Sequence, residues 1–201
     1  MIGIIDYGIG NLNAFFNALT DINVDAKIIT RSCDFQKVAK LILPGVGSFD
    51  SAISKLNDSG LKEELEYQVL NKGKPILGVC SGMQIMFESS EEGKLNGLGW
   101  INGCVKRLQP NDSNYPIPHM GWNSLKISRK HEILKNLNDQ TFYFLHSFFV
   151  LPDDNSEILT YTDYKTDFCS LIAKKNIYGS QFHPEKSNNA GRVFLKNFST
   201  I

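Results

Sequence analysis

The chain has no charge excess of either sign: 21 Lys and Arg stand against 21 Asp and Glu in 201 residues. It therefore lacks the global field that steers a protein to nucleic acid or to an anionic membrane surface. No apolar run approaches the roughly 20 residues that a membrane-spanning helix needs. The opening Met1-Ile2-Gly3-Ile4-Ile5-Asp6 has no basic start and is cut short by an aspartate, so no signal peptide is expected. Cysteine is sparse, and Cys33, Cys80, Cys104 and Cys169 stand too far apart for a metal clip or a redox pair. A reducing cytoplasm is the expected setting. The histidines and acidic residues show no metal-ligand spacing, and Gly8-Ile9-Gly10-Asn11 lacks the third glycine of a dinucleotide loop. No metal and no cofactor are expected. There is no repeat, low-complexity tract or linker, so residues 1–201 read as one domain.

What is present is an alternation of short apolar runs and helical periods. Residues 2–5, 24–29, 41–43 and 76–79 read as strands. Between them Leu12, Phe15, Phe16 and Leu19, then Phe49, Ala52, Ile53 and Leu56, recur at helical spacing, with a further helix over 61–70. Strands alternating with helices predict a parallel, doubly wound α/β sheet flanked by helices. Past Gly93 the texture changes. Residues 100–108, 124–128, 141–150, 157–162, 168–173 and 177–182 read as strands joined by Asn-Asp, Pro-Asp-Asp and Lys-Asn turns, closed by a helix over 189–198. The sheet is therefore expected to be mixed, mostly parallel, with partly antiparallel later strands.

The chain is organised around Lys74-Pro75-Ile76-Leu77-Gly78-Val79-Cys80-Ser81-Gly82-Met83-Gln84. A buried strand stops at Cys80, glycines flank the cysteine two positions away on each side, and Met83, Met86 and Phe87 follow at helical spacing. Strand, sharp turn and helix with a cysteine at the apex is the nucleophile-elbow pattern. The N–H groups of a helix start favour negative charge and can hold an oxyanion. A small structural cysteine in a glycine-rich turn fits the same residues.

A cysteine nucleophile needs a base, and the base an orienting acceptor. In Gln181-Phe182-His183-Pro184-Glu185 the proline fixes the backbone and lets His183 and Glu185 point the same way from an extended segment. Alone, the triplet also fits a loop with a satisfied imidazole. Paired with Cys80 it is a candidate Cys-His-Glu triad.

Three segments carry a resemblance: Pro44-Gly45-Val46-Gly47, the Cys80 elbow, and residues 181–187. Together they resemble the triad-type class I glutamine amidotransferases. The finer likeness, which includes Asp6-Tyr7-Gly8, Gly97-Leu98-Gly99-Trp100, Pro118-His119-Met120-Gly121-Trp122-Asn123 and Tyr143-Phe144-Leu145-His146-Ser147, is to glutaminase subunits of imidazole glycerol phosphate synthase. The resemblance implies that L-glutamine is the substrate, that Cys80 attacks it, that His183 moves the protons and that Glu185 holds the imidazole. It implies an oxyanion hole from Val46, Gly47 and Ser81, and a substrate pocket from Gly45, Gln84, Glu92, His146, Ser147 and Phe148. It also implies a heterodimer with a barrel-type cyclase that uses the ammonia, docked over Asn11 and Trp122. His119 and Trp122 flank a glycine in what reads as a loop, where an exposed aromatic suggests a partner surface and a core role is the alternative.

Ser81, Phe148 and Phe149 depart from the residues usual in that family. Residues 13–16 and Val79 look closer to a sister branch that feeds ammonia to the amidination of bacterial surface sugars. A stand-alone cysteine hydrolase, or a scaffold with a dead site, are the competing readings. Gln84 also fits a surface polar residue, Glu92 a solvated acidic run over 88–92, and His146 a core histidine.

Overall fold

The structure is a computed structural model and describes residues 1–201 except 111 and 113. The Asn-Asp turn expected at 111–112 therefore has its first residue outside the described set. In chain order the elements are β1 (Ile2–Ile5), α1 (Leu12–Asp21), β2 (Ala26–Ile29), β3 (Lys40–Leu43), α2 (Phe49–Asp58), α3 (Lys62–Glu66), β4 (Ile76–Val79) and α4 (Ser81–Gln84). They continue with β5 (Ser89–Ser90), β6 (Gly103–Arg107), β7 (His119–Ser124), β8 (Lys126–Ile127), β9 (Thr141–His146), β10 (Phe148–Pro152), β11 (Ile158–Tyr164), β12 (Thr166–Lys174), β13 (Ile177–Ser180) and α5 (Asn188–Thr200).

The main sheet runs β2-β1-β3-β4-β13-β12-β10-β6-β5, with β11 and then β8 added beside β12. From β2 through β13 the pairings are parallel; β12 against β13, β10 and β11 is antiparallel. The mixed, mostly parallel sheet expected from the sequence is thus the architecture. Alternation within strands splits the core in two. Ile5, Leu41, Leu43 and Ile76 face Phe49, Ile53, Leu56 and Leu65 of α2 and α3. Ile4, Ile42 and Leu77 face Phe15 and Leu19 of α1 and Phe194, Leu195 and Phe198 of α5. Helices therefore cover both faces, and β4 is buried at all four residues.

Four sequence expectations give way. The helix after Cys80 is one turn, because the carbonyls of Ile85, Met86 and Phe87 accept from Leu98, Trp100 and Gly99 rather than from a continuing helix. The run 100–108 is a strand only over Gly103–Arg107. The run 141–150 breaks at Ser147 into β9 and β10, which belong to different sheets. The stretch from His119 to Trp122, read as a loop, belongs to β7, which pairs with β9 in a separate two-stranded ribbon from His119↔His146 to Ser124↔Thr141.

Candidate active site

Three neighbouring parallel strands, β3, β4 and β13, end on the same side of the sheet, where ligands of doubly wound folds bind. Their register puts Leu43 and Gly179 beside Gly78, and Ser180 beside Val79. The next residues of each strand are Pro44-Gly45-Val46-Gly47, Cys80, and residues 181–185. The β7–β9 ribbon lies against this edge, with His183 N–H donating to the Tyr143 carbonyl at 2.9 Å. Between them is a cleft of about 190 Å³ lined by Val46, Gly47, Cys80, Gln84, Glu92, residues 145–148, His183 and Lys186.

Cys80 sits at φ 54° and ψ −117°, a conformation that costs a non-glycine residue about 1–3 kcal/mol. The strain is carried by the cysteine itself, not by its flanking glycines. Cys80 N–H donates to the Ser180 carbonyl at 2.8 Å, and its carbonyl accepts from Met83 and Gln84, each at 3.0 Å. These bonds hold the elbow in place. The glycines serve close approach: a Cβ on Gly82 would lie 2.1 Å from the Leu43 carbonyl oxygen, and one on Gly45 would lie 1.9 Å from the Gly82 nitrogen.

His183 Nδ1 meets Glu185 Oε1 at 2.9 Å, both side chains almost fully buried, and the imidazole lines the same cleft as Cys80. Burial alone would lower the His183 pKa, but the hydrogen bonds and charges of Cys80 and Glu185 outweigh it and raise the value to about 10. The imidazole is therefore held as a cation beside the cysteine. The second oxygen of Glu185 is buried without a partner, so one oxygen of that carboxylate is devoted to the ring.

The polar neighbours are tied together. Gln84, 4% exposed and so no surface residue, donates through Nε2 to the Phe148 carbonyl at 3.0 Å and to Gln181 Oε1 at 3.2 Å. Gln181 Nε2 in turn reaches Cys80 Sγ at 3.7 Å. Glu92 Oε2 accepts from Phe49 N–H at 2.8 Å and so caps α2. The acidic run 88–92 is not a merely solvated face, since Glu88 and Glu91 also bind backbone N–H groups of Gly103 and Arg107.

Of the expected site residues, Cys80, His183, Val46, Gly47, Gln84, Glu92, His146, Ser147 and Phe148 share this cleft. Glu185 stands behind His183. Gly45 and Ser81 are buried behind the wall against each other. Asn11 lies outside the cleft and caps α1 through its side chain, accepting from Ala14 N–H at 3.1 Å. Trp122 also lies outside, in strand β7 rather than a loop, 49% exposed and edge-on to Tyr143. His119 is not exposed beside it: it is 3% exposed and packed inward.

Sequence reasoning passed over Gln181, Lys186 and Tyr7. The first two lie in the quoted motif around His183, which was their signal. Tyr7 is buried, donates its hydroxyl to the Pro44 carbonyl at 2.6 Å, and has its pKa raised by burial and then by the Cys80 charge. It fixes the strand end that precedes the cleft wall. Among the described residues no group of His, Cys, Asp and Glu is arranged to hold a metal, and no helix is long and apolar enough to cross a membrane.

Comparison with known proteins gives the family and the fold. The family "Glutamine amidotransferase class-I" matches residues 3–200. The HisH protein of imidazole glycerol phosphate synthase from Leptospira borgpetersenii is 44% identical over 204 residues, covering 100% of both chains. A HisH 2 protein from Pseudomonas aeruginosa is 43% identical over 199 residues, covering 98% of both. Among solved structures, a glutamine amidotransferase superposes with TM-score 0.75 at 17% identity, covering 99% of each chain. The structure of PurLQS from Thermotoga maritima superposes with TM-score 0.72 at 16% identity, covering 98% of this chain and 96% of the other. The profile and the full-length identities place the chain in the class I glutamine amidotransferase family, alongside the HisH subunits of imidazole glycerol phosphate synthase.

Proposed function

We propose that this chain is the glutamine-hydrolysing subunit of imidazole glycerol phosphate synthase, a single amidotransferase domain that hands ammonia to a separate cyclase. The observation that carries the reading is the buried His183–Glu185 pair lining one cleft with a strained Cys80 at the elbow. Relatives at 43–44% identity over essentially the whole chain carry the HisH name.

Each step has a residue suited to it. Cys80 Sγ, its proton held on His183, attacks the carboxamide carbon of glutamine, and the carbonyl electrons move to oxygen. Backbone N–H groups near Val46, Gly47 and Ser81 stabilise that oxyanion. When the tetrahedral adduct collapses, His183 gives its proton to the leaving nitrogen, ammonia departs and a glutamyl thioester remains. The neutral imidazole then removes a proton from water, which attacks the thioester; glutamate leaves and Cys80 is restored. Gln84, Glu92 and the backbone of residues 146–148 hold the amino-acid end of the substrate. A cleft of about 190 Å³ is below the roughly 300–1,000 Å³ of sites for drug-sized ligands, which favours an amino acid over a peptide.

Ammonia released into water is mostly protonated and no longer nucleophilic, so the cleft must open toward the acceptor enzyme. Met120 at 66%, Trp122 at 49%, Val46 at 42% and Leu145 at 37% exposure form apolar surface at the cleft mouth and on the ribbon. Exposed apolar surface of this kind marks a docking face, and the partner we assign to it is a barrel-type cyclase, as a cytoplasmic heterodimer. Gly47, at φ +86° with no atom within 4 Å of a Cβ position, leaves that strand end free to turn a peptide N–H into or out of the oxyanion position. Loss of one such donor costs about 100- to 1,000-fold in rate.

The test is glutamine turnover by the purified chain, with and without the cyclase and its bound acceptor. Slow turnover alone and a rise of at least about 100-fold on docking are expected. Full-rate turnover unaffected by the partner favours a stand-alone hydrolase, and no turnover under either condition overturns the glutaminase reading.

A further inference from the structure

Residues 145–148 close one side of the cleft, and a buried polar chain that takes no part in the triad holds them there. The Phe148 carbonyl accepts from His146 Nδ1 at 2.9 Å and from Gln84 Nε2 at 3.0 Å. A carbonyl only accepts, so the proton on His146 sits on Nδ1. Burial keeps both rings neutral, lowering the pKa of His146 to about 3 and that of His119 to about 4. A neutral His146 then has an acceptor at Nε2, and the 3.0 Å contact with His119 Nδ1 carries the proton of His119. The remaining nitrogen of His119, Nε2, is in turn an acceptor, and Asn123 Nδ2 meets it at 3.4 Å.

The far end of the chain fixes the same direction independently. Asn123 Oδ1 accepts from Ser124 N–H at 2.8 Å, and its Nδ2 donates to the Asp163 carbonyl at 2.8 Å. The amide therefore presents N–H, not oxygen, to His119. Every donor from Asn123 through His119 and His146 to Phe148 points the same way, and neither ring has a free nitrogen. Packing locks the ring planes: His119 is stacked on Phe144 with centroids 4.9 Å apart and lies 4.0 Å from the Tyr164 ring, while His146 stands edge-on to Phe168 at 4.9 Å.

We infer that His119 and His146 are positioning residues for substrate: their one-directional hydrogen-bond chain fixes the backbone of residues 147–148, and through the Phe148 carbonyl the Gln84 amide, in the place that receives the amino-acid end of glutamine. The inference rests on the glutaminase reading and names what organises its pocket. His119 acts through His146, and His146 through the Phe148 carbonyl.

The experiment measures how L-glutamine protects Cys80 of the purified chain from alkylation by iodoacetamide. His119→Phe keeps an aromatic ring but removes the donor to His146, and should require roughly 10-fold more glutamine for half-protection. Its alkylation rate without glutamine should stay that of the wild type, because the triad is untouched. His119→Asn, whose amide can donate where Nδ1 did, should restore most of the protection; a merely space-filling histidine would not be rescued by asparagine. Wild-type protection matched by His119→Phe would overturn the positioning role alone. A wild type that glutamine never protects would overturn the glutaminase reading, and the inference with it. Should His119→Phe fail to fold, nitrogen NMR of the wild-type imidazoles decides: both rings neutral with the proton on Nδ1 is the expected result, and a His146 protonated on Nε2 overturns the chain.

Discussion

His183 and His146 are both buried imidazoles on the wall of one cleft, and opposite causes set their protons. Burial pushes each toward the neutral form. At His183 a carboxylate and the cysteine overrule it, and the ring is charged with a pKa of about 10. At His146 the ring's main neighbours are another histidine and a carbonyl, burial wins, and the pKa falls to about 3. Burial says that a histidine is costly to charge; the groups facing it decide whether that cost is met. In the mechanism proposed above, the first region moves protons and the second holds geometry.

The largest effect expected from breaking this contrast is at the charged site. His183→Asn should cut glutamine turnover by about 10⁴-fold or more, while His119→Phe reduces it by roughly 10-fold. Steady-state ammonia release checks this, and comparable losses at both sites would erase the distinction. Glu185→Gln should lose less than His183→Asn, by one to two orders of magnitude, because the amide still offers the ring an acceptor. An equal loss would make Glu185 more than a support for the imidazole.

The neutral pair should appear in stability against pH. The folded values for His119 and His146, about 4 and about 3, lie below the value near 6.5 of an unfolded histidine. The unfolded chain thus binds more protons in that window, so stability is full above pH 6.5 and falls as pH drops toward 4. The slope is up to roughly 1.4 kcal/mol per pH unit for each ring. Asp34, held at about 2 chiefly by hydrogen bonds from Lys27 and Lys37, contributes the same sign of change only below the carboxylate range. For His183 the sign reverses: its contribution is full below 6.5 and is lost as pH rises through about 10. Urea midpoints at pH 7 and pH 4.5 check the acid limb; equal midpoints would contradict two buried neutral histidines.

The smallest expected effect separates docking from chemistry. Trp122→Ala on the ribbon should weaken cyclase binding about 10-fold and leave Cys80 alkylation unchanged. Slowed alkylation would mean that the ribbon supports the nucleophile as well.

Much of this was legible in the residues. The strand of residues 76–79 and the helical periods around Phe15 and Ile53 are simple patterns, and by themselves they bring Cys80 to a strand end. His183 and Glu185 were legible as a pair, which the structure brings together. The ribbon was not, because its pattern is inverted: along β7 His119 is buried while Met120 and Trp122 are exposed. Pro118 and Gly121 also read as loop. The break at Ser147 was hidden in a continuous apolar run, and the length of α4 was decided by carbonyls that a distant loop, residues 98–100, takes for itself. The neutral histidine chain was the least legible part, since it joins residues 27 apart in sequence through tautomers that only the surrounding acceptors define.

The central claim is that Cys80 is a nucleophile matched to glutamine, and its most direct test is covalent labelling. The purified chain is treated with a glutamine analogue bearing a thiol-reactive group and followed by intact mass and peptide mapping. One adduct is expected, on Cys80, absent in Cys80→Ala. Exposed Cys33, half-buried Cys104 and Cys169, whose pKa burial raises to about 12, should remain unmodified. An adduct shared with Cys33 or Cys104, or one that persists in Cys80→Ala, would contradict the account.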